Sequence, residues 1–254
     1  VEFIGSAEER IQEDYLRILR YFRFFVQYSK RKHNEKTLKL IKNHINGINK
    51  VSNERIIDEF RKILKLKRLY NLFSEKNSQE IILNIFPQFK YYKRLKVFNE
   101  LNKDFKKNYD DNLILALIIL DKTNNYDYFC HKYKLSNKIK KRFKNISDNY
   151  EKIKSNEFYN EKNIKKLIYL SNREYVLDLL LFSICENLKI KKINIEKLIN
   201  YVVSCKIPKF PITGDYLKKH GYKPGELMGK KLKFLEEKWI QNNFVMEKKY
   251  LQDL

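Results

Sequence analysis

The scarcity of chain-breaking residues constrains this sequence more than any other feature. Among 254 residues there are 6 glycines and 4 prolines. Three of the prolines (Pro208, Pro211, Pro224) and four of the glycines (Gly214, Gly221, Gly225, Gly229) crowd into residues 208–229. The long stretch before them therefore lacks the residues that build tight turns. That excludes a collagenous or low-complexity chain and argues against an all-β fold with many tight turns. With 43% hydrophobic and 14% aromatic residues, there is apolar material for a core despite 33% charge. The same ground argues against a disordered chain.

The apolar spacing supports helices. From Ile11 to Tyr28, Leu16, Leu19, Phe22 and Val26 recur at intervals of three and four, as in one amphipathic helix. Residues 34–45 read as a second helix, with Gly47 as its stop. Ser52 or Asn53 can cap a third, with Glu54 and Asp58 in its first turns and Ile56, Phe60, Ile63 and Leu64 as its buried stripe. Further helices are predicted at 79–86, 91–106, 112–121, 125–133, 136–154, 161–170, 172–188 and 194–205. A last one follows the turn-rich segment, from Leu227 to about Asn242. These aromatic and aliphatic stripes read most simply as core. Val1–Ile4 reads as the end of a strand closed by Gly5.

Several function classes are excluded at this level. The longest clean apolar run, Leu113 to Leu120, falls far short of the ~20 residues a membrane-spanning helix needs. Glu2, Glu8, Glu9 and Arg10 occupy the region where a signal peptide would be apolar. No membrane partner is expected. Cys130, Cys185 and Cys205 show no C-x-x-C spacing, which argues against a disulfide framework or a zinc site and for the reducing cytoplasm. His33, His44, His131 and His220 are scattered outside any metal or phosphohydrolase motif, so no metal site is expected.

A net charge of +23 and a pI near 9.7 point to a polyanionic partner such as RNA, ahead of a charge that merely solubilises a lysine-rich chain. The charge is nearly uniform, at +5, +13 and +5 over residues 1–64, 65–205 and 206–254. It marks no patch.

The chemistry concentrates in Glu13-Asp14-Tyr15-Leu16-Arg17-Ile18-Leu19-Arg20-Tyr21-Phe22-Arg23. An intrahelical ion pair would explain Asp14 with Arg17, but not three arginines beside one aspartate. An aspartate only accepts hydrogen bonds and an arginine only donates them. The pairing edges of cytosine and adenine each offer an amino donor beside a ring-nitrogen acceptor. An Asp–Arg pair therefore reads C or A. Uracil opposes a carbonyl to the aspartate and an N–H to the arginine, and guanine fails similarly. Arg20 and Arg23 would then be free for ribose, base or phosphate.

These residues carry a family resemblance. Arg10-Ile11-x-Glu13-Asp14-x-Leu16-Arg17-x-Leu19-Arg20-x-x-Arg23-Phe24 resembles the neck signature of bacterial tRNA nucleotidyltransferases and their poly(A) polymerase relatives. Ser52-Asn53-Glu54-Arg55-Ile56-x-Asp58-Glu59-Phe60 is similar to the family's next motif. Phe210-Pro-Ile-Thr-Gly214, Gly221-x-x-Pro224-Gly225 and Trp239-Ile240 are similar to its tail. Three ordered motifs across residues 10–240 are specific, where one alone would be weak.

The resemblance implies an all-α array. Its parts would be a junction to a polymerase head at 1–9, a neck at 10–70, a body at 71–205 and a tRNA-binding tail at 206–254, with a strand remnant at the start. It implies that Asp14 and Arg17 select CTP and ATP, that Arg20 and Arg23 also contact the nucleotide, and that Glu13, Glu54, Arg55 and Glu59 support them. Lys218, Lys219, Lys223 and Lys230 are the candidate RNA contacts of the tail. The family's head supplies a Gly-Ser turn followed by D-x-D carboxylates that hold Mg²⁺. Here Gly5-Ser6 is followed by no D-x-D, and Asp110 and Asp111 are adjacent, which does not match that spacing. The expectation is therefore a nucleotide-selecting, tRNA-binding portion, inactive without a head in cis or in trans. The alternatives are a non-catalytic RNA-binding module and a poly(A) polymerase fragment.

Overall fold

A computed structural model of the chain describes residues 1–101, 103–186, 192–247 and 250. Its regular structure is all helical, with no strand among the described residues. The all-α class read from the sequence holds. The chain forms two compact units, Val1–Asn156 with Asp178–Lys192, and Glu157–Leu177 with Ile193–Leu254.

The first unit opens with α1 (Ala7–Glu13), α2 (Arg17–Tyr28), α3 (Glu35–His44) and α4 (Asn53–Leu64). Side-chain caps start three of them. Ser6 accepts from the Glu9 amide, Asn34 from those of Lys36 and Thr37, and Ser52 from that of Arg55. Leu16, Leu19, Phe22 and Val26 are buried, as are Ile56, Phe60, Ile63 and Leu64. The α2 and α4 stripes face each other in the core, as the spacing predicts.

The unit continues through α5 (Asn71–Ser74), α6 (Lys76–Ile85), α7 (Arg94–Glu100), α8 (Lys103–Lys106), α9 (Asp111–Ile119), α10 (Asn125–Lys132) and α11 (Asn137–Asp148). Every residue from Leu113 to Leu120 is buried, so α9 is an internal helix, apolar all round. Phe60, Phe86 and Phe89 pack with ring centroids 4.5 to 4.8 Å apart. Arg142 is buried between Asp178, at 2.6 Å, and Asp110, at 2.5 Å. These two carboxylates outweigh the desolvation of the guanidinium and hold it charged.

The chain then forms α12 (Glu161–Leu170), α13 (Arg173–Cys185), α14 (Lys192–Ser204), α15 (Gly214–Lys219) and α16 (Glu226–Gln241). In the second unit Trp239 packs against Tyr169, Phe210 and Phe244, and Leu217 against Ile212 and Leu235. Thr213 caps α15, and Gly221 supplies the positive φ of +91° that closes the turn after it.

Five expectations need correction. The helix predicted from Ile11 to Tyr28 breaks at Asp14, which is extended (φ −153°, ψ 100°) and uses its carboxylate to accept from the Leu16 amide. Val1–Ile4 is not a strand. A strand needs a neighbouring ladder, and here Phe3 stacks on Tyr21 with centroids 5.6 Å apart. Gly47 does not stop α3 but lies inside a 3-10 turn, Ile45–Lys50. The helix predicted at 91–106 breaks at Leu101, which turns extended and buried. The one predicted at 136–154 ends at Asp148, where the Asn149 side chain caps the Asn145 carbonyl at 2.8 Å. The end of the helix predicted at 172–188 lies outside the described residues.

Behind α2, His33 is buried, with Nδ1 2.9 Å from the Tyr21 hydroxyl and its ring stacked on Phe25. Burial pushes the imidazole down to about 4. The unfolded chain takes up this proton near pH 6.5, so it binds more protons than the folded chain below that value. Stability is therefore undiminished above pH 6.5 and falls as the pH drops toward 4. Denaturant unfolding across this range should show the slope, and His33→Phe should flatten it whatever its constant offset.

Candidate nucleotide-selecting site

The break at Asp14 creates the site. With α1 ended, Asp14 leaves the helical path and its half-buried carboxylate meets two guanidinium groups. Arg55 Nη2 lies 3.4 Å from both oxygens and Arg20 Nη1 lies 3.4 Å from Oδ2. Asp14 and Arg17 do not pair with each other. Arg17 Nη1 donates to Glu13 at 2.6 Å and to the Arg10 carbonyl at 2.8 Å. Glu13 also accepts from Arg10 at 2.7 Å, and these guanidinium groups hold its carboxyl below the usual range. The intrahelical ion pair considered for Asp14 and Arg17 is thus absent.

Arg23 departs from its expected freedom. Its Nε donates to Glu59 Oε1 at 2.5 Å, and Glu59 is 1% exposed. Glu59 also accepts from Lys62 at 2.9 Å. Burial works against this carboxylate's charge, but Arg23 and Lys62 outweigh it and hold its pKa below the ordinary value. Glu59 thereby fixes Arg23. Glu54 does not reach it, since it pairs with Lys134.

An open cleft of about 380 Å³ lies on this face. Arg10, Arg17 and Arg20 line it with Tyr21, Phe24 and Val1–Ile4, while Asp14 and Arg23 stand outside its walls. Three guanidinium forks at an open cleft suit an anionic, planar ligand. Arg10 and Phe24 were missed as site residues by sequence reasoning. The helix break that turns Arg10 toward Arg17 rests on a backbone geometry that spacing does not encode.

That geometry is held from outside the motif. A Cβ built on Gly47 would overlap the Tyr15 ring, so the 3-10 turn Ile45–Lys50 has room for glycine alone. Lys50 Nζ covers the same ring at 5.6 Å from its centroid. The residue after Asp14 is thereby packed in place.

The candidate tail lysines lie in the second unit, and all four are exposed. Lys218 pairs with Asp215 at 2.9 Å and Lys230 with Glu226 at 2.7 Å. Lys219 and Lys223 make no ion pair with the described residues. Among those residues no three His, Cys, Asp or Glu side chains gather to hold a metal ion. Nor is any described helix long and apolar enough to cross a membrane.

The all-α chain thus sets three arginines at an open cleft, with the Asp14 carboxylate paired to one of them. A family model for tRNA nucleotidyltransferase domain 2 matches residues 105–254. A second, described as the probable RNA and SrmB-binding site of polymerase A, matches residues 34–93. The chain belongs to the tRNA nucleotidyltransferase family. It is 29% identical over 267 residues to the mouse mitochondrial CCA tRNA nucleotidyltransferase 1, covering 98% of this chain and 56% of that protein. It is 28% identical to the CCA-adding enzyme of Lactococcus lactis, with 96% and 58% covered. The chain thus spans little more than half the length of these relatives. Its fold is similar to that of a CCA-adding enzyme solved with ATP (TM-score 0.64, 17% identity, 97% of this chain and 61% of that one). It is also similar to the Thermotoga maritima CCA-adding enzyme solved with tRNA (TM-score 0.62, 16% identity, 97% and 62%).

The packing of Tyr15 gives a direct test. Gly47→Ala should lower the thermal unfolding midpoint, because the added methyl must displace either the Tyr15 ring or the 3-10 turn. In a Tyr15→Ala background the same substitution should cost much less, a coupling that a double-mutant cycle reads directly.

Proposed function

We propose that this chain is the nucleotide-selecting and RNA-holding portion of a CCA-adding enzyme, which extends tRNA 3′ ends with C and A from CTP and ATP. The observation that carries this reading is the arginine-lined cleft beside Asp14, in a chain of this family. The Asp14 carboxylate accepts from the amino group of cytosine or adenine, and Arg17 donates to the neighbouring ring nitrogen. Arg20 and Arg10 face the cleft as anchors for ribose and phosphate. Glu13 and Arg55 set the orientation of Arg17 and Asp14, and Glu59 that of Arg23. The transfer step belongs to the carboxylates of a polymerase head, in cis or in trans.

The match of residues 34–93 to a polymerase A model favours one further reading, addition of A alone. Incorporation of CTP into tRNA lacking its CCA end separates the two, since an A-only enzyme leaves CTP unused.

Asp14→Ala should relax discrimination against UTP in an enzyme reconstituted with a head by roughly 10- to 100-fold. This is the rate equivalent of leaving a buried polar group unpaired. Unchanged discrimination contradicts the assignment of Asp14. In the tail, Lys219→Ala with Lys223→Ala should weaken tRNA binding and lower the slope of log K against log salt by about 1 to 2. Lys230→Ala should do less, because Glu226 already offsets its charge.

A further inference from the structure

Arg17, Arg20, Phe24 and Tyr28 follow one another at intervals of three and four along α2, so they form one strip of its surface. The apolar residues of the opposite side are buried, yet Phe24 is 38% and Tyr28 is 65% exposed. Their rings are nearly parallel (21°), with centroids 6.2 Å apart. Phe24 is backed from beside the strip. The Arg23 guanidinium lies 4.2 Å from its ring centroid, and the buried Glu59 holds that guanidinium. A platform fixed in this way spends little entropy when a flat ligand settles on it.

Beyond Tyr28 the strip runs into Lys30, Arg31 and Lys32. All three are exposed and make no ion pair with the described residues. The negative end of α2 does not consume their charge, because Arg68 already donates to the Gln27 and Ser29 carbonyls at 2.9 and 2.5 Å. Exposed aromatic rings followed by unpaired cations are the two elements by which proteins hold single-stranded nucleic acid. From Arg17 to Tyr28 the strip is about 16 Å long, room for roughly four stacked nucleotides.

We propose that this strip of α2 binds the single-stranded 3′ end of the RNA. Phe24 and Tyr28 stack on its bases, and Lys30, Arg31 and Lys32 hold its backbone. The occupant is RNA because the cations beside the rings, Arg17, Arg20, Lys30, Arg31 and Lys32, outnumber the acids Glu2 and Glu75. The assignment rests on the function proposed above, and it explains why Arg23 is tied to Glu59 instead of facing the nucleotide cleft: it backs the stacking ring.

The test measures binding of this chain to an RNA hairpin with a four-nucleotide single-stranded 3′ end, and to the same hairpin with a blunt end. The chain should prefer the overhang. Phe24→Leu with Tyr28→Leu should weaken overhang binding at least ~10-fold and leave blunt binding unchanged. Tyr28→Phe should keep the preference. Lys30, Arg31 and Lys32 changed together to Ala should lower the overhang salt slope by about 2. Circular dichroism and thermal unfolding verify the fold of each variant. Equal affinity of the unmodified chain for both hairpins overturns the proposal. So does a leucine variant that loses thermal stability but keeps the preference, since the rings would then serve packing. Because this readout needs no nucleotide addition, it stands apart from the preceding reading. Addition of C and A with an unchanged leucine variant defeats only the strip. Overhang preference without addition in the presence of a head supports the strip and defeats only the CCA-adding assignment.

Discussion

Glu59 is the most deeply buried acidic residue of the α2–α4 pair, and it accepts from Arg23 and Lys62. A carboxylate out of water is costly unless charge-assisted hydrogen bonds replace its hydration. The contact therefore works in both directions. Arg23 makes the burial of Glu59 tolerable, and Glu59 fixes how α2 is rotated against α4. With that rotation set, Leu19, Phe22 and Val26 point into the core and Arg17, Arg20, Phe24 and Tyr28 point out of it. The exposed cationic and aromatic side of α2 follows from its apolar stripe, and the buried ion pair adds a polar tie at the same seam.

The second constraint is the break at Asp14. A continuous helix from Ala7 to Tyr28 would carry Asp14 and Arg17 as adjacent side chains able to neutralise each other. Ending α1 at Glu13 separates them. Arg17 is taken up by Glu13 and the Arg10 carbonyl, while Asp14 meets Arg20 and Arg55. Neither group is spent on the other. The fit of Gly47 against Tyr15 holds this local geometry from a distant part of the chain.

The features legible in the sequence were those that depend on spacing. The apolar stripes of α2 and α4, the Ser52 cap and the burial of Leu113–Leu120 follow from periodicity and local hydrogen bonding. The break at Asp14, the 3-10 turn at Gly47 and the buried Arg142–Asp178 pair did not, because each depends on residues that meet only after folding. Within the site, the residue types were legible before their partners were. Arg23 could be named from its motif, but that it would bond Glu59, thirty-six positions away, could not. Nor could sequence spacing separate Glu54, drawn off to Lys134, from Arg55, drawn to Asp14.

The function proposed for this chain is to select nucleotides and hold RNA for chemistry performed by another domain. The most direct measurement is primer extension on tRNA lacking its CCA end, with Mg²⁺, CTP and ATP, using this chain alone and then with a family head domain added in trans. Addition of C and A is expected only when the head is present. Addition by the chain alone, or tRNA binding without addition in the presence of a competent head, would contradict it.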